Sequence, residues 1–235
     1  MKDQLKGPSN QKPLMPLDSV RFRFQTIEMG GEDFHLRSLR DLQQCPPAID
    51  DVEALGVSSA TWPLFGVLWQ SEELLSHLMV TECVSDKRVL ELGCGLALAS
   101  LVLKRRGFDV TATDLNPYAQ EFLNFNSSLN DIDEVYFEQA GWVEGESSLG
   151  RFDLLLGSDV LYDHHNLGPL LNFVGGHLRP GGEILIVDPG RGLTRRFARE
   201  MNTLGFLVDV QSTTYESRSG ISENYWVMRF KKSDT

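Results

Sequence analysis

The sequence predicts an α/β chain built on a doubly wound, mainly parallel sheet, preceded by a β-hairpin and helix extension. Three observations carry that prediction. From Asp86 onward, strand-like and helical stretches alternate repeatedly, which implies right-handed crossovers. The first, fourth and fifth strand-like runs are nearly all apolar, as central parallel strands covered on both faces must be. The first run leads through Gly93-Cys94-Gly95 directly into a helical stretch.

The 235 residues suit one elaborated domain or two small ones, and a hydrophobic fraction of 41% excludes global disorder. Thirty-three acidic against 22 basic residues leave a net charge of −11, which argues against a nucleic-acid backbone as partner. Three cysteines (Cys45, Cys83, Cys94) without C-x-x-C spacing suggest neither a disulfide framework nor a metal site. The N-terminus has no apolar signal core and no run of 18 apolar residues occurs, so a cytoplasmic monomer without membrane contact is expected.

In chain order, residues 1–18 are polar and proline-rich and read as an arm. Phe22 and Phe24 alternate with polar residues up to Gly30-Gly31, and Phe34 and Leu36 follow, predicting a β-ribbon. Pro46-Pro47 opens an irregular connector. Apolar residues from Gly66 to Met79 recur at helical spacing and complete an extension over residues 19–85. The core, 86–235, has strand-like runs at Arg88–Leu92, Asp109–Thr113, Val135–Glu138, Phe152–Ser158 and Glu183–Val187. Helical stretches fall at Ala97–Arg106, Pro117–Leu129, Leu167–Leu178 and Leu193–Leu204. Two final strand candidates, Phe206–Tyr215 and Asn224–Lys231, are joined by a polar turn and predict a hairpin at the sheet edge.

The chemistry concentrates at strand ends. Gly93 and Gly95 allow a tight turn and close approach of a ligand, and the helix behind them supplies free N–H groups. Leu98 stands where a dinucleotide fingerprint would have its third glycine, and Glu91 places an anion where a pyrophosphate would be repelled. Asp114, closing the second strand, is placed to accept both hydroxyls of a ribose. Together these favour an adenosine carrying a cationic tail.

The stretches WPLFGVLWQSEELLSHL, LELGCGLALASL, ATDLNPYA, the GW of AGWVEG, and FDLLLGSDVLYD resemble the class I, seven-strand S-adenosylmethionine-dependent methyltransferases. Within them the chain is similar to the group holding protein-lysine methyltransferases and nicotinamide N-methyltransferase-like enzymes, from about Trp62 to the end. The resemblance implies a Rossmann-like sheet of order 3-2-1-4-5-7-6 with strand 7 antiparallel. It also implies Gly93 and Gly95 against the amino-acid part of S-adenosylmethionine, with Glu91 close by, and Asp114 on the ribose. Leu115 would pack on the adenine, Trp142 flank it, Trp69 close the methionine side, and Ser158 lie beside the methyl. Family members often carry an acidic residue before the Trp; here Gly141 leaves only its backbone to the adenine.

By the same resemblance the methyl acceptor lies over Asp159 and Tyr162, with Asp188 and Arg191 as further substrate contacts. Methyl transfer is an in-line displacement that depends mainly on alignment. A lysine acceptor, with a reference pKa of ~10.4, is neutral in only on the order of one molecule in a thousand at pH 7. An apolar pocket favours the neutral amine and a bare carboxylate opposes it, so Asp159 is expected to orient amine N–H groups, with Tyr162 as wall and partner. Plainer readings stand beside these: Asp159 as a helix N-cap, Trp69, Trp142 and Tyr162 as packing aromatics, Asp188 and Arg191 as a turn with a local ion pair, and the ribbon as structural cover. The expected function is protein-lysine N-methylation, with product S-adenosylhomocysteine. A small-molecule N- or O-methyltransferase and a catalytically silent S-adenosylmethionine-binding protein are the alternatives.

Overall fold

The computed structural model describes residues 20–42, 61–142, 148–218 and 220–232. The predicted arm, 1–18, and the connector at Pro46-Pro47 lie outside the described residues. Strands β1 (Phe22–Met29) and β2 (Glu32–Leu39) form an antiparallel hairpin around Gly30 and Gly31, both with positive φ.

The main sheet has seven strands: β3 (Arg88–Leu92), β4 (Asp109–Asp114), β5 (Tyr136–Gln139), β6 (Phe152–Ser158), β7 (Leu178–Asp188), β8 (Phe206–Glu216) and β9 (Ser222–Lys232). Their spatial order is β5-β4-β3-β6-β7-β9-β8, with β9 antiparallel to both neighbours. Counted from β3, this is the expected 3-2-1-4-5-7-6. Helices α1 (Gln70–Thr81), α2 (Leu98–Arg105) and α3 (Tyr118–Leu129) contribute to one core with the ribbon, while α4 (Leu167–His177) and α5 (Thr194–Thr203) contribute to the other. Alternate strand residues divide between the cores: Val89, Leu154 and Leu156 to the first, Leu90, Leu92 and Leu155 to the second. Burial on both faces is why these runs carry almost no polar residue. No helix among the described residues is long and apolar enough to cross a membrane.

The ribbon is fastened by α3. Asn126 accepts from the Arg37 amide at 2.8 Å and donates to its carbonyl at 3.3 Å; Asn130 does the same for His35 at 2.7 and 2.6 Å. Two asparagine amides thus stand in for a neighbouring strand along β2, satisfying an edge that would otherwise be open. Phe22 packs edge-on to Phe122, and Ile27, Phe34, Leu36 and Leu39 are buried. The reading of the ribbon as structural cover agrees with this packing.

One expectation is corrected. The helix read from Gly66 begins at Gln70, after a 3-10 turn over Trp62–Gly66 and an extended Trp69 with ψ 148°. The Trp69 indole N–H donates to the Leu64 carbonyl at 2.9 Å, which folds the turn back beside the helix start. Gly66 has no room for a side chain, since a Cβ there would lie 2.3 Å from Leu39 Cδ1.

Candidate active site

A cavity of about 580 Å³ opens at the carboxyl ends of β3, β4 and β6 and is roofed by the Trp62–Gly66 turn. This is where a doubly wound sheet binds ligands. Of the sequence-predicted residues, Trp69, Gly93, Gly95, Asp114, Leu115, Gly141, Trp142, Ser158, Asp159, Tyr162 and Arg191 line it. Glu91 and Asp188 do not; both are buried beneath its wall.

The glycine loop is shaped by left-handed backbone at Gly93 (φ 58°), Gly95 (φ 53°) and Ala97 (φ 58°). A Cβ on Gly95 would meet the Phe65 carbonyl at 3.1 Å, so this glycine lets the 3-10 turn cross the loop. Asp114 steadies the same loop. One carboxylate oxygen accepts from the Gly95 amide at 2.9 Å and the other from the Asn116 amide at 2.8 Å. Each oxygen keeps lone-pair capacity for a hydroxyl from a ligand. At Gly141, a Cβ would lie 3.0 Å from Leu115 Cδ1, so a side chain there would require the end of Leu115 to give way.

The sequence reading missed Glu72. Its carboxyl lines the cavity, accepts from the Ala99 amide at 2.8 Å and accepts from the Ser158 hydroxyl at 2.9 Å. Glu91 lies alongside, accepting from the Ser100 amide at 3.0 Å and from the Ser100 hydroxyl. The first free N–H groups of α2, which would cradle a phosphate in a dinucleotide site, are therefore taken by two carboxyls. A phosphate is repelled at this floor and a cation is attracted. Burial pushes the Glu72 carboxyl up to about 7, and burial together with Glu72 pushes Glu91 well above the carboxylate range. Cys94 is buried between the glycines, and its thiol is held protonated by burial and the surrounding acids.

Asp159 follows β6 with a left-handed backbone, φ 49°, uncommon for a residue with a side chain. Its amide donates to the Val187 carbonyl at 2.9 Å, which pins the turn to β7. Oδ2 pairs with the Arg191 guanidinium at 2.9 Å, whereas Oδ1 is buried without a hydrogen-bond partner. Burial raises the Asp159 carboxyl to about 6, with Arg191 opposing and Asp188 adding to the rise. The N-cap reading of Asp159 gives way: the following 3-10 turn is capped by Asp163, which accepts from the His165 amide at 2.9 Å. Tyr162 is 44% exposed at the cavity rim, and burial of its hydroxyl end beside Asp114 keeps the phenol protonated. Arg191 also lies over the Trp69 ring, 5.8 Å from its centroid.

Asp188 is corrected from substrate contact to turn support. It is fully buried, and Oδ1 accepts from the Gly190 amide and the Thr194 hydroxyl, at 2.7 and 2.8 Å, holding the loop that carries Arg191. Asn116 was also missed: its amide donates to the Trp62 carbonyl at 2.8 Å and its oxygen accepts from the Tyr118 amide, tying the roof to the start of α3. An Asn after the acidic strand end is the signal that could have found it, since that residue type caps helices.

The family described as "Methyltransferase domain" matches residues 71–223. Protein N-lysine methyltransferase METTL21A of Danio rerio is 30% identical over 73% of this chain and 78% of its own length. The mitochondrial ubiquinone biosynthesis O-methyltransferase of Schizosaccharomyces pombe is 27% identical over 63% of this chain and 58% of its own. In fold, the chain is similar to the Thermus thermophilus 16S rRNA N2 G1207 methyltransferase, solved with AdoMet and guanosine, at a TM-score of 0.61 and 17% identity, covering 93% of this chain and 52% of that one. A cavity floored by carboxyls, an acidic residue at the end of the second sheet strand, and a family match across the whole glycine-loop region converge. The chain belongs to the methyltransferase-domain family and is an S-adenosylmethionine-dependent methyltransferase.

Proposed function

We propose that this enzyme methylates the side-chain amine of a protein lysine, with Asp159 and Tyr162 at the acceptor. One observation carries the reading: Asp159 lines the cavity with a side chain only 9% exposed, and its Oδ1 is a buried acceptor without a hydrogen-bond partner among the described residues. An unsatisfied buried carboxylate oxygen costs about 1–3 kcal/mol, so a ligand bringing an N–H there recovers that free energy. The likeness to METTL21A of Danio rerio supports a lysine amine as the source of the N–H.

The Asp159–Arg191 pair supports a neutral amine as the acceptor. A bare carboxylate would hold the acceptor as an ammonium, which has no lone pair to attack with. Arg191 offsets that charge while leaving Oδ1 to orient a neutral amine. The Tyr162 ring forms the outer wall of the approach. Asp114, Leu115, the Gly141 backbone and Trp142 are assigned to the adenosine, and Gly93, Gly95, Trp69 and Ser158 to the methionine end, with Glu91 buried beneath it. The bound cofactor supplies a methyl group on a sulfonium. That methyl would pass to the amine nitrogen oriented by Asp159 and walled by Tyr162, leaving the sulfur as a neutral thioether, and the product ammonium would lose its proton to water. Among the described residues four acidic side chains line the cavity (Glu72, Asp114, Asp159, Asp163) against one cation, Arg191, which supports a basic protein segment over nucleic acid.

The test is transfer of labelled methyl from S-adenosylmethionine into a cell lysate, comparing wild type with Asp159→Asn. Labelled protein bearing methyl-lysine by mass spectrometry, absent with the variant, is the expected result. Label confined to small molecules would favour a small-molecule acceptor, and an equally active variant would remove Asp159 from the acceptor site.

A further inference from the structure

Glu72 and Glu91 meet beneath the glycine loop without a compensating cation among the described residues. Glu91 faces Glu72 from β3, Cys94 from the loop, and Asp114 lies beyond it at the end of β4. Arg191 is engaged by Asp159, and Arg218 by the neighbouring Glu73 at 3.0 Å. The donors reaching the pair are the Leu98, Ala99 and Ser100 amides and the hydroxyls of Ser158 and Ser100. Those five leave Glu91 Oε1, on a residue 1% exposed, without a donor among the described residues. Two carboxyls in contact at low dielectric do not both ionise; they share a proton, which here supplies the donor that Oε1 lacks.

We propose that the Glu72–Glu91 pair carries one proton in the free enzyme and releases it to solvent when the cationic cofactor binds, making Glu72 a positioning residue that couples cofactor charge to the ionisation of the cavity floor. S-adenosylmethionine brings an ammonium and a sulfonium against one carboxylate, a net positive charge that replaces the proton as counterion. S-adenosylhomocysteine has lost the sulfonium charge and is neutral overall, so the floor takes the proton back once the methyl is gone. The pair therefore favours cofactor over product increasingly as pH rises. This rests on the cofactor alone and is independent of the acceptor.

The test is isothermal titration of the full chain with S-adenosylmethionine and with S-adenosylhomocysteine, in buffers of different ionisation enthalpy, between pH 6 and 8. Net proton release is expected with S-adenosylmethionine and a smaller release with S-adenosylhomocysteine. The affinity for S-adenosylmethionine should rise with pH, approaching about tenfold per unit where one proton is released. Glu72→Gln should abolish release and slope, whereas Asp159→Asn, which removes another raised carboxyl lining the cavity, should keep both. Equal proton counts for the two ligands, a flat wild-type profile, a slope surviving Glu72→Gln, or a slope lost in Asp159→Asn would each overturn the proposal. Should Glu72→Gln not fold, wild type and Asp159→Asn decide it.

Discussion

Arg191 and Asp159 share one charged contact, 2.9 Å between guanidinium and Oδ2, and that contact leaves Oδ1 buried and unpartnered. The cation both lowers the carboxyl against the pull of burial and holds it in one orientation. Replacing Arg191 with Met removes the opposing charge, so the Asp159 carboxyl rises further above about 6. If activity requires the carboxylate, the acid limb of the kcat/KM–pH profile moves to higher pH. Stability should fall above about pH 6, where the 9%-exposed Asp159 carboxylate loses its counter-charge, by about 1–3 kcal/mol, and recover as the carboxyl protonates. An unmoved acid limb in Arg191→Met would show that the pair does not set the ionisation of the acceptor site.

Glu72 also sets a pH dependence of stability in the ligand-free enzyme. Its folded carboxyl lies near 7, above the unfolded value, so the folded state binds the proton more tightly. Stability therefore falls as pH rises through the window between the ordinary carboxylate value and about 7, and is lowest above it. Glu72→Gln removes the penalty of the buried charge. Its melting temperature should exceed wild type at pH 8 by a few degrees, on a scale of about 2–4 °C per kcal/mol for a chain of this size, and the gap should close at pH 5. Thermal melts across pH check this, and a gap that widens toward acid would reverse the assignment.

The strands at the heart of the sheet were legible because burial on both faces leaves Val89–Leu92 and Leu154–Leu156 almost without polar residues. The place of Asp114 at the cavity was legible because it closes the second sheet strand, at the carboxyl end where such sheets open to ligands. Glu72 was not. Read along α1, SEELLSHL looks like an amphipathic helix with acids on its wet side, yet Glu72 and Glu73 are both buried. What buries them is remote in sequence: Glu91, Ala99 and Ser158 for the first, Tyr215 and Arg218 for the second. Helical periodicity describes one face against an average core and is blind to polar partners delivered by other elements.

The attachment of the ribbon makes a separate prediction. Asn126 is fully buried and pairs with both backbone groups of Arg37. Asn126→Leu fills similar volume but leaves that amide and carbonyl without partners, at about 1–3 kcal/mol each. Hydrogen exchange at β2 should accelerate well before exchange in β3 or β6, and denaturant stability should fall by a few kcal/mol. If β2 stays as protected as in wild type, apolar packing on Phe122 holds the ribbon and the asparagines only decorate its edge.

Asp188 offers the mirror image of the Arg191 experiment. Its charge raises the Asp159 carboxyl, and it does not line the cavity, so it acts on Asp159 through the field and through the turn it holds. Asp188→Asn keeps an oxygen for the Gly190 amide and the Thr194 hydroxyl while deleting the charge. The acid limb should then shift to lower pH, opposite in sign to Arg191→Met. Because Oδ2 has no partner, the new amide N–H₂ is buried without an acceptor, and stability should drop by about 1–2 kcal/mol. A raised KM for the methyl acceptor with an unshifted acid limb would instead return Asp188 to the role of a direct substrate contact.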